Sequence, residues 1–289
     1  MKSLQQLAEA IIYSNLLISL CTVVMCLQTY WQLEHHFIFD ELLALVFCST
    51  LATYLLARLV GLRNQSEIVK QQFWYGRNEN LIKYLFIISS LACIPLFFAL
   101  KQNIQFCLLF LALLTILYSL PLVRTNGKWK RLRDVGLLKI FLISFTWSLT
   151  TVLLPAFNIE KNINWDLLFL LFIERSLFIF TITLPFDIRD LAYDKGKIKT
   201  IPLILGKQKT LFLAYFCLFL LILLATLNYV YIVEVPNYNI FIGLIISYLI
   251  TAYLISFTEE SNQDTFYTGY VDATMLLQFF LIVLMSFFI

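Results

Sequence analysis

The sequence predicts an all-α, polytopic membrane protein of about nine transmembrane helices forming a bundle around a central cavity, and three features lead to that expectation. Of the 289 residues, 61% are hydrophobic and 13% charged, where ordinary soluble domains hold about half and about a quarter. The charges are gathered into short segments. Between these segments run apolar stretches of roughly twenty residues, the length that carries a helix across a bilayer.

Read in order, the spans fall at about 10–31, 41–60, 81–100, 104–123, 135–154, 166–186, 210–232, 240–257 and 270–289. Basic residues give the orientation. Five lie in 58–83, six in 124–139 and six in 189–209, so 17 of the 21 lysines and arginines occupy three segments. These follow the second, fourth and sixth spans. The positive-inside rule places them and the N-terminus in the cytoplasm, and an odd number of spans places the C-terminus outside. The net charge of +3 is therefore a topology signal and not a nucleic-acid footprint. The first span follows one positive charge, Lys2, and reads as a retained helix, not a cleaved signal. The six cysteines, Cys21, Cys26, Cys48, Cys93, Cys107 and Cys217, all fall within spans and form no CxxC pair, so they read as packing residues. No linker or clean repeat divides residues 1–289, which read as one domain.

The chemistry concentrates at the end of the sixth span, in "LPFDIRDLAYDKGKIKTIPLILG", Leu184 to Gly206. Offsets of three and seven residues put Asp187, Asp190 and Asp194 within about 60° of one another on a continued helix. Carboxylates there repel one another and meet the negative end of the helix dipole, so something positive must hold them. Local neutralisation by Arg189, Lys195, Lys197 and Lys199 is one solution. A hard divalent metal is the other, because Mg²⁺ takes oxygen ligands and is held by one or two carboxylates plus substrate phosphates. Acids for the metal and lysines beside them for the outer oxygens would suit a metal-bound diphosphate. A second basic segment, "YSLPLVRTNGKWKRLRDVG", adds Arg124, Lys128, Lys130, Arg131 and Arg133 on the same face of the membrane.

"DIRDLAYDKGKIKTIPLILG" resembles the second aspartate-rich motif of the UbiA superfamily of intramembrane prenyltransferases, and "YSLPLVRTNGKWKR" resembles that family's Tyr-Ser-x-Pro and basic loop after the fourth span. The resemblance implies a nine-helix bundle whose cavity opens laterally to lipid. It implies transfer of a polyprenyl group from a Mg²⁺-bound prenyl diphosphate to a small lipophilic, often aromatic acceptor, in lipid-quinone or related biosynthesis. On it, Asp190 and Asp194 are metal carboxylates, Asp187 leads the same motif, and Arg124, Lys128, Lys130, Arg189 and Lys199 are candidate diphosphate contacts. A bacterial inner membrane is the expected location. One departure is large. The family's first motif, NxxxDxxxD, would end the second span, but "TYLLARLVGLRNQSE" puts Leu55, Leu59 and Arg63 at its positions. Arg58 and Arg63 are expected to replace lost metal charge with fixed guanidinium charge on the phosphates.

Other polar residues carry separate expectations. Glu174 and Arg175 lie inside the sixth span, where ionisable groups are costly and often functional; Arg175 is a cavity-lining candidate, with a buried tie between helices as its alternative. Asp272 reads as an interfacial residue near the start of the last span. The pair His35–His36 in an external loop could hold a metal or simply face solvent. The sequence nominates no catalytic residue and no general base. Two other function classes stay open beside the enzyme: a non-catalytic isoprenoid or lipid-phosphate binding or transport protein descended from the family, and a polytopic transporter sharing topology alone.

Overall fold

The computed structural model describes residues 2–63, 70–119, 123–125, 128–130, 132, 137–159, 164–191, 199–232, 238–258 and 264–288. The fold is an all-α membrane bundle. In chain order the helices are α1 (Lys2–Tyr13), α2 (Leu16–Glu34), α3 (Glu41–Arg63), α4 (Lys70–Arg77), α5 (Glu79–Ala99) and α6 (Gln102–Ser119). They continue as α7 (Leu138–Asn158), α8 (Trp165–Arg189), α9 (Ile201–Leu205), α10 (Lys207–Ile232), α11 (Tyr238–Ser256) and α12 (Phe266–Ser286). Among the described residues, eight helices are long and apolar enough to cross a membrane, with α6 a shorter apolar helix between them. These nine match the expected spans closely. The one strand pair described, β1 (Val123–Thr125) and β2 (Lys128–Lys130), is an antiparallel hairpin in the basic segment after α6.

The first span starts later than its hydropathy suggests. Asn15 adopts left-handed backbone angles, φ 62° and ψ 15°, a conformation that Asn tolerates better than most side chains. The chain therefore breaks between α1 and α2, and the predicted span at 10–31 becomes a separate short helix followed by the membrane helix proper. Gly206, with φ 84°, makes the corresponding break between α9 and α10 at no Cβ cost.

The helices form a closed circuit. α2 packs on α12, α12 on α11, α11 on α10, α10 on α8, α8 on α7, and α7 returns to α2 through its second half, Leu149–Asn158. α3 packs on the outside of α2, and α5 on α3. The burial pattern agrees. α2 is the most enclosed membrane helix and α5 the least, with Tyr84, Ile88, Leu91 and Phe98 exposed along its outer face, as lipid-facing positions should be. Because α7 meets α2 mainly over its second half, the circuit is tightest away from the end that carries Asp187.

Polar ties fix the register, since an unpaired polar group in hydrocarbon costs several kcal/mol. At the end remote from Asp187, Tyr30 of α2 donates to Asp40 Oδ2 at 2.6 Å and Asn158 Nδ2 of α7 to the same oxygen at 2.7 Å. Asp40 Oδ1 also accepts from the Leu43 backbone N–H at 3.0 Å, satisfying the first turn of α3. Halfway along the bundle, Arg175 Nη1 of α8 donates to the Met25 carbonyl of α2 at 2.9 Å. Tyr248 of α11 donates to Glu174 Oε1 at 2.8 Å. Arg175 is 4% exposed and held by backbone, so the structure places it as a tie between helices and not on an open cavity wall. His35 ends α2 with φ 57°, and no group of three His, Cys, Asp or Glu side chains that could hold a metal occurs among the described residues. The six cysteines are free.

α11 and α12 approach through Gly243, where an added Cβ would come within 2.8 Å of the Ile282 Cα. Small residues permit such backbone proximity in membranes. Gly243→Ala is expected to destabilise the protein by about 1–3 kcal/mol through overpacking; an unchanged thermal midpoint in detergent would show that the two helices can separate freely.

Candidate functional site

Asp187 and Asp190 lie where the sequence predicts, at the end of α8, but the two carboxylates have different partners. Asp187 is 2% exposed and takes a hydrogen-bonded ion pair from Lys139 Nζ of α7 at 2.8 Å. A carboxylate so deeply enclosed needs that charge, and the pair joins α8 to α7. One Asp187 oxygen is thus committed to a lysine, an arrangement that braces α7 against α8. Pro185, two residues earlier, lacks the N–H that would close an α-helical bond there.

Asp190 caps the helix and is more open. Arg189 Nε donates to Asp190 Oδ1 at 2.8 Å and Arg189 Nη2 to Asp190 Oδ2 at 3.3 Å. The same guanidinium lies 3.8 Å from Asp264 Oδ1, just before α12, and 5.2 Å from the ring centroids of both Phe186 and Tyr267. Arg189, predicted as a diphosphate contact, is thus shared between two carboxylates and two aromatic faces. Tyr267 anchors the platform by donating to the Thr258 carbonyl at 2.9 Å.

Across the same end, Arg58 of α3 is partly buried with its Cζ 5.4 Å from the Tyr75 ring centroid. Tyr75 belongs to an aromatic cluster with Trp74 of α4 and Tyr13 of α1, at centroid distances of 5.8 and 6.4 Å. Burial pushes the Tyr75 phenol above its ordinary value, against the pull of Arg58 and with a push from Asp264. Among the described residues Arg58 forms neither a hydrogen bond nor an ion pair.

The remaining predicted residues are less informative. Lys199 is exposed, immediately before α9. Arg124 stands opposite Trp129 in the hairpin, while Lys128 and Lys130 pair with Thr125 and Val123; nothing further is described of these side chains, nor of Arg63. Asp194, Lys195, Lys197, Arg131 and Arg133 lie outside the described residues.

Two residues escaped the sequence reading. Lys139 looked like one more positive charge, although its place within the predicted fifth span was a usable signal. Asp272, expected at the interface, instead faces the interior of the bundle from α12. It is partly exposed, its backbone carbonyl accepts from Cys21 Sγ at 3.4 Å, and Arg189, Arg58 and Tyr54 all lie within electrostatic reach.

As a metal site, the donor chemistry fits Mg²⁺: Asp190 is a hard oxygen donor at an accessible helix end, with Asp194 four residues on, and Mg²⁺ needs few protein ligands when phosphates complete its shell. Asp190 has a guanidinium on both oxygens, so metal and arginine would exchange positions around it.

No protein-family model matches the sequence, and no curated protein matches it. Solved structures do. A UbiA homolog from Archaeoglobus fulgidus bound to GPP and Mg²⁺ superposes with a TM-score of 0.64 at 11% identity, over 95% of this chain and 99% of that one. The same homolog bound to DMAPP and Mg²⁺ gives 0.62 at 11% identity with the same coverage. A digeranylgeranylglyceryl phosphate synthase gives 0.58 at 16% identity, over 98% of each chain. The expected family likeness is therefore present in three dimensions along nearly the whole length, and the chain has the UbiA fold.

To test the bracing role of the buried pair, Lys139→Met and Asp187→Asn are each expected to destabilise the protein, by about 3–5 kcal/mol where a buried charge is stranded. The double variant should lose clearly less than the sum. Additive losses in a double-mutant cycle on thermal unfolding would show that the pair is not coupled.

Proposed function

We propose that this chain is an intramembrane prenyltransferase that moves a polyprenyl group from a prenyl diphosphate to a small lipophilic acceptor. One observation carries the reading: at the charged end of a UbiA-fold bundle, Arg58 has no anionic partner among the described residues and, like Arg189 of the Asp190–Arg189–Asp264 group, lies within electrostatic reach of Asp272. Solved structures of that fold hold GPP or DMAPP with Mg²⁺.

In this reading the diphosphate enters at the charged end, which the basic segments assign to the cytoplasm. Arg58 receives phosphate oxygens directly, through charge-assisted hydrogen bonds from a planar fork. Arg189 pivots from Asp190 toward the diphosphate, staying over the Phe186 and Tyr267 rings. Asp190 and Asp194 would hold Mg²⁺, which supplies positive charge to the leaving diphosphate as the allylic C–O bond breaks. Asp187 does not move; with Lys139 it keeps α7 and α8 aligned beneath the site. The prenyl tail lies among the apolar and aromatic side chains of the bundle, whose ring faces stabilise developing allylic cation charge. Arg58, with Arg63, takes over the charge work that a first acidic motif and its metal would have done. The acceptor is a phenolic or quinone-precursor compound, and the setting is a bacterial inner membrane with the C-terminus outside.

A second reading, a non-catalytic isoprenoid-diphosphate binder, is favoured by a specific feature. α3 offers Leu59 and Arg63 where carboxylates would be needed, and Asp187 and Asp190, the two described aspartates at the end of α8, already carry cations. Membranes containing the protein, given radiolabelled geranylgeranyl diphosphate, Mg²⁺ and a panel of aromatic acceptors, separate the two. Turnover is expected. Arg58→Ala should weaken donor binding about 10- to 100-fold, as loss of about 1.5–3 kcal/mol from a charged hydrogen bond implies. Binding without turnover across the panel would favour the second reading, and unchanged affinity in Arg58→Ala would remove Arg58 from the site.

A further inference from the structure

Of the described aspartates at the charged end, each has a partner except one. Asp187 is paired with Lys139, Asp190 with Arg189, and Asp264 with Arg189. Deeper in the bundle, Glu174 accepts from Tyr248. Among the described residues, the Asp272 carboxylate forms no hydrogen bond and no ion pair. It nevertheless lies on a membrane-spanning helix, where a carboxylate with nothing to bind is expensive and marks function.

Its position is specific. Asp272 follows Asp264 by eight residues, six of them in the π-helical start of α12, Phe266–Val271, so it lies less than about two helical turns further into the bundle. Asp264 is at the level of Arg189 and Asp190, the rim where the diphosphate would be held. Asp272 is therefore on the membrane side of that level, where the first carbons of the donor would pass. Four groups face it or share its field from the neighbouring helices: Arg189 of α8, Arg58 of α3, Tyr54 of α3 and Cys21 of α2. Tyr118 of α6 acts on Tyr54 in the same region. Neither arginine is close enough to neutralise Asp272 by contact. Both are assigned to phosphate oxygens above.

We propose that Asp272 is the general base of the transfer: it receives the proton that the acceptor loses when the acceptor bonds to the allylic carbon. This rests on the prenyltransferase reading. The C–O bond of the donor breaks and the diphosphate leaves with the electron pair. The acceptor's oxygen or ring carbon forms the new bond to that carbon. The proton displaced from the acceptor passes to an Asp272 carboxylate oxygen and is returned to solvent when product leaves. No oxidant or further reactant is needed. Arg58 and Arg189 take part by drawing negative charge to the rim, which leaves the acceptor's proton as the positive charge that Asp272 must collect.

The experiment uses the full chain in nanodiscs with geranylgeranyl diphosphate, Mg²⁺ and the best acceptor of an aromatic panel containing phenolic carboxylates and dihydroxynaphthoates. Binding of the donor's thiolodiphosphate analogue is measured separately. Asp272→Asn is expected to bind the analogue within twofold of wild type while its transfer rate falls about 100-fold or more, the usual size of a general-base contribution. Asp272→Glu should recover transfer to within about tenfold of wild type, and the acidic limb of the pH–rate profile should be absent in Asp272→Asn. Wild-type rates in Asp272→Asn would overturn the assignment. So would a loss of donor binding in Asp272→Asn to match Arg58→Ala, which would make Asp272 an anchor for the arginines. Absence of turnover by the wild type across the panel would contradict the functional reading itself, and this assignment with it.

Discussion

Inside a bilayer, a charged side chain is stable only beside an opposite charge, a hydrogen-bonding group or a ligand, and the architecture of this protein follows from how each buried charge meets that requirement. Asp40 is satisfied by Tyr30, Asn158 and a helix N–H. Arg175 is satisfied by a backbone carbonyl of α2, and Asp187 by Lys139. These three arrangements lie at successive depths and tie α2, α3, α7 and α8 to one another. They are scaffolding. What they leave over, at the charged end, is a guanidinium on α3 and a carboxylate on α12, neither hydrogen-bonded nor ion-paired among the described residues.

That remainder gives the site its character. A site built from two facing acidic motifs would bring a diphosphate in through metal ions on both sides. Here the end of α8 brings Asp187 and Asp190, each paired with a cation, and α3 brings Arg58. In the proposed function a diphosphate with its cation would lie between the two, cation toward Asp190 and bare oxygens toward Arg58. Arg189, resting on Phe186 and Tyr267 between two carboxylates, is placed to move between them as a cation arrives. α1 and α4 enclose this end through Tyr13, Trp74 and Tyr75, limiting the water that would compete for the same hydrogen bonds.

Much of the fold was legible in the sequence because spanning a bilayer leaves a coarse, strong pattern: twenty apolar residues, then charge. Eight long helices and α6 fall where hydropathy puts them, and the break at Asn15 was missed because the apolar pattern runs on through it while the backbone turns. Asp190 and its lysine-rich sequel were legible as a motif. The partnership of Asp187 with Lys139 was not, because 48 residues separate them and only the packing of α7 on α8 brings them together. Asp272 was misplaced for a related reason. Nearness to the start of a span suggests the interface, yet α12 begins at Phe266, upstream of the predicted start, which moves Asp272 inward and within electrostatic reach of Arg58 and Arg189. Arg175 shows the opposite case: a charge whose depth suggested a cavity is held by Met25 in the tight middle of the bundle.

The most direct measurement is a cryo-electron microscopy map of the protein in lipid nanodiscs with Mg²⁺ and geranylgeranyl thiolodiphosphate. The account predicts density for the diphosphate between Arg58 and Asp190, with Arg58 turned from the Tyr75 ring onto phosphate oxygens and the first prenyl carbons on the Asp272 side. A ligand lodged elsewhere, with Arg58 still over Tyr75 and Arg189 still closed on Asp190, would contradict it.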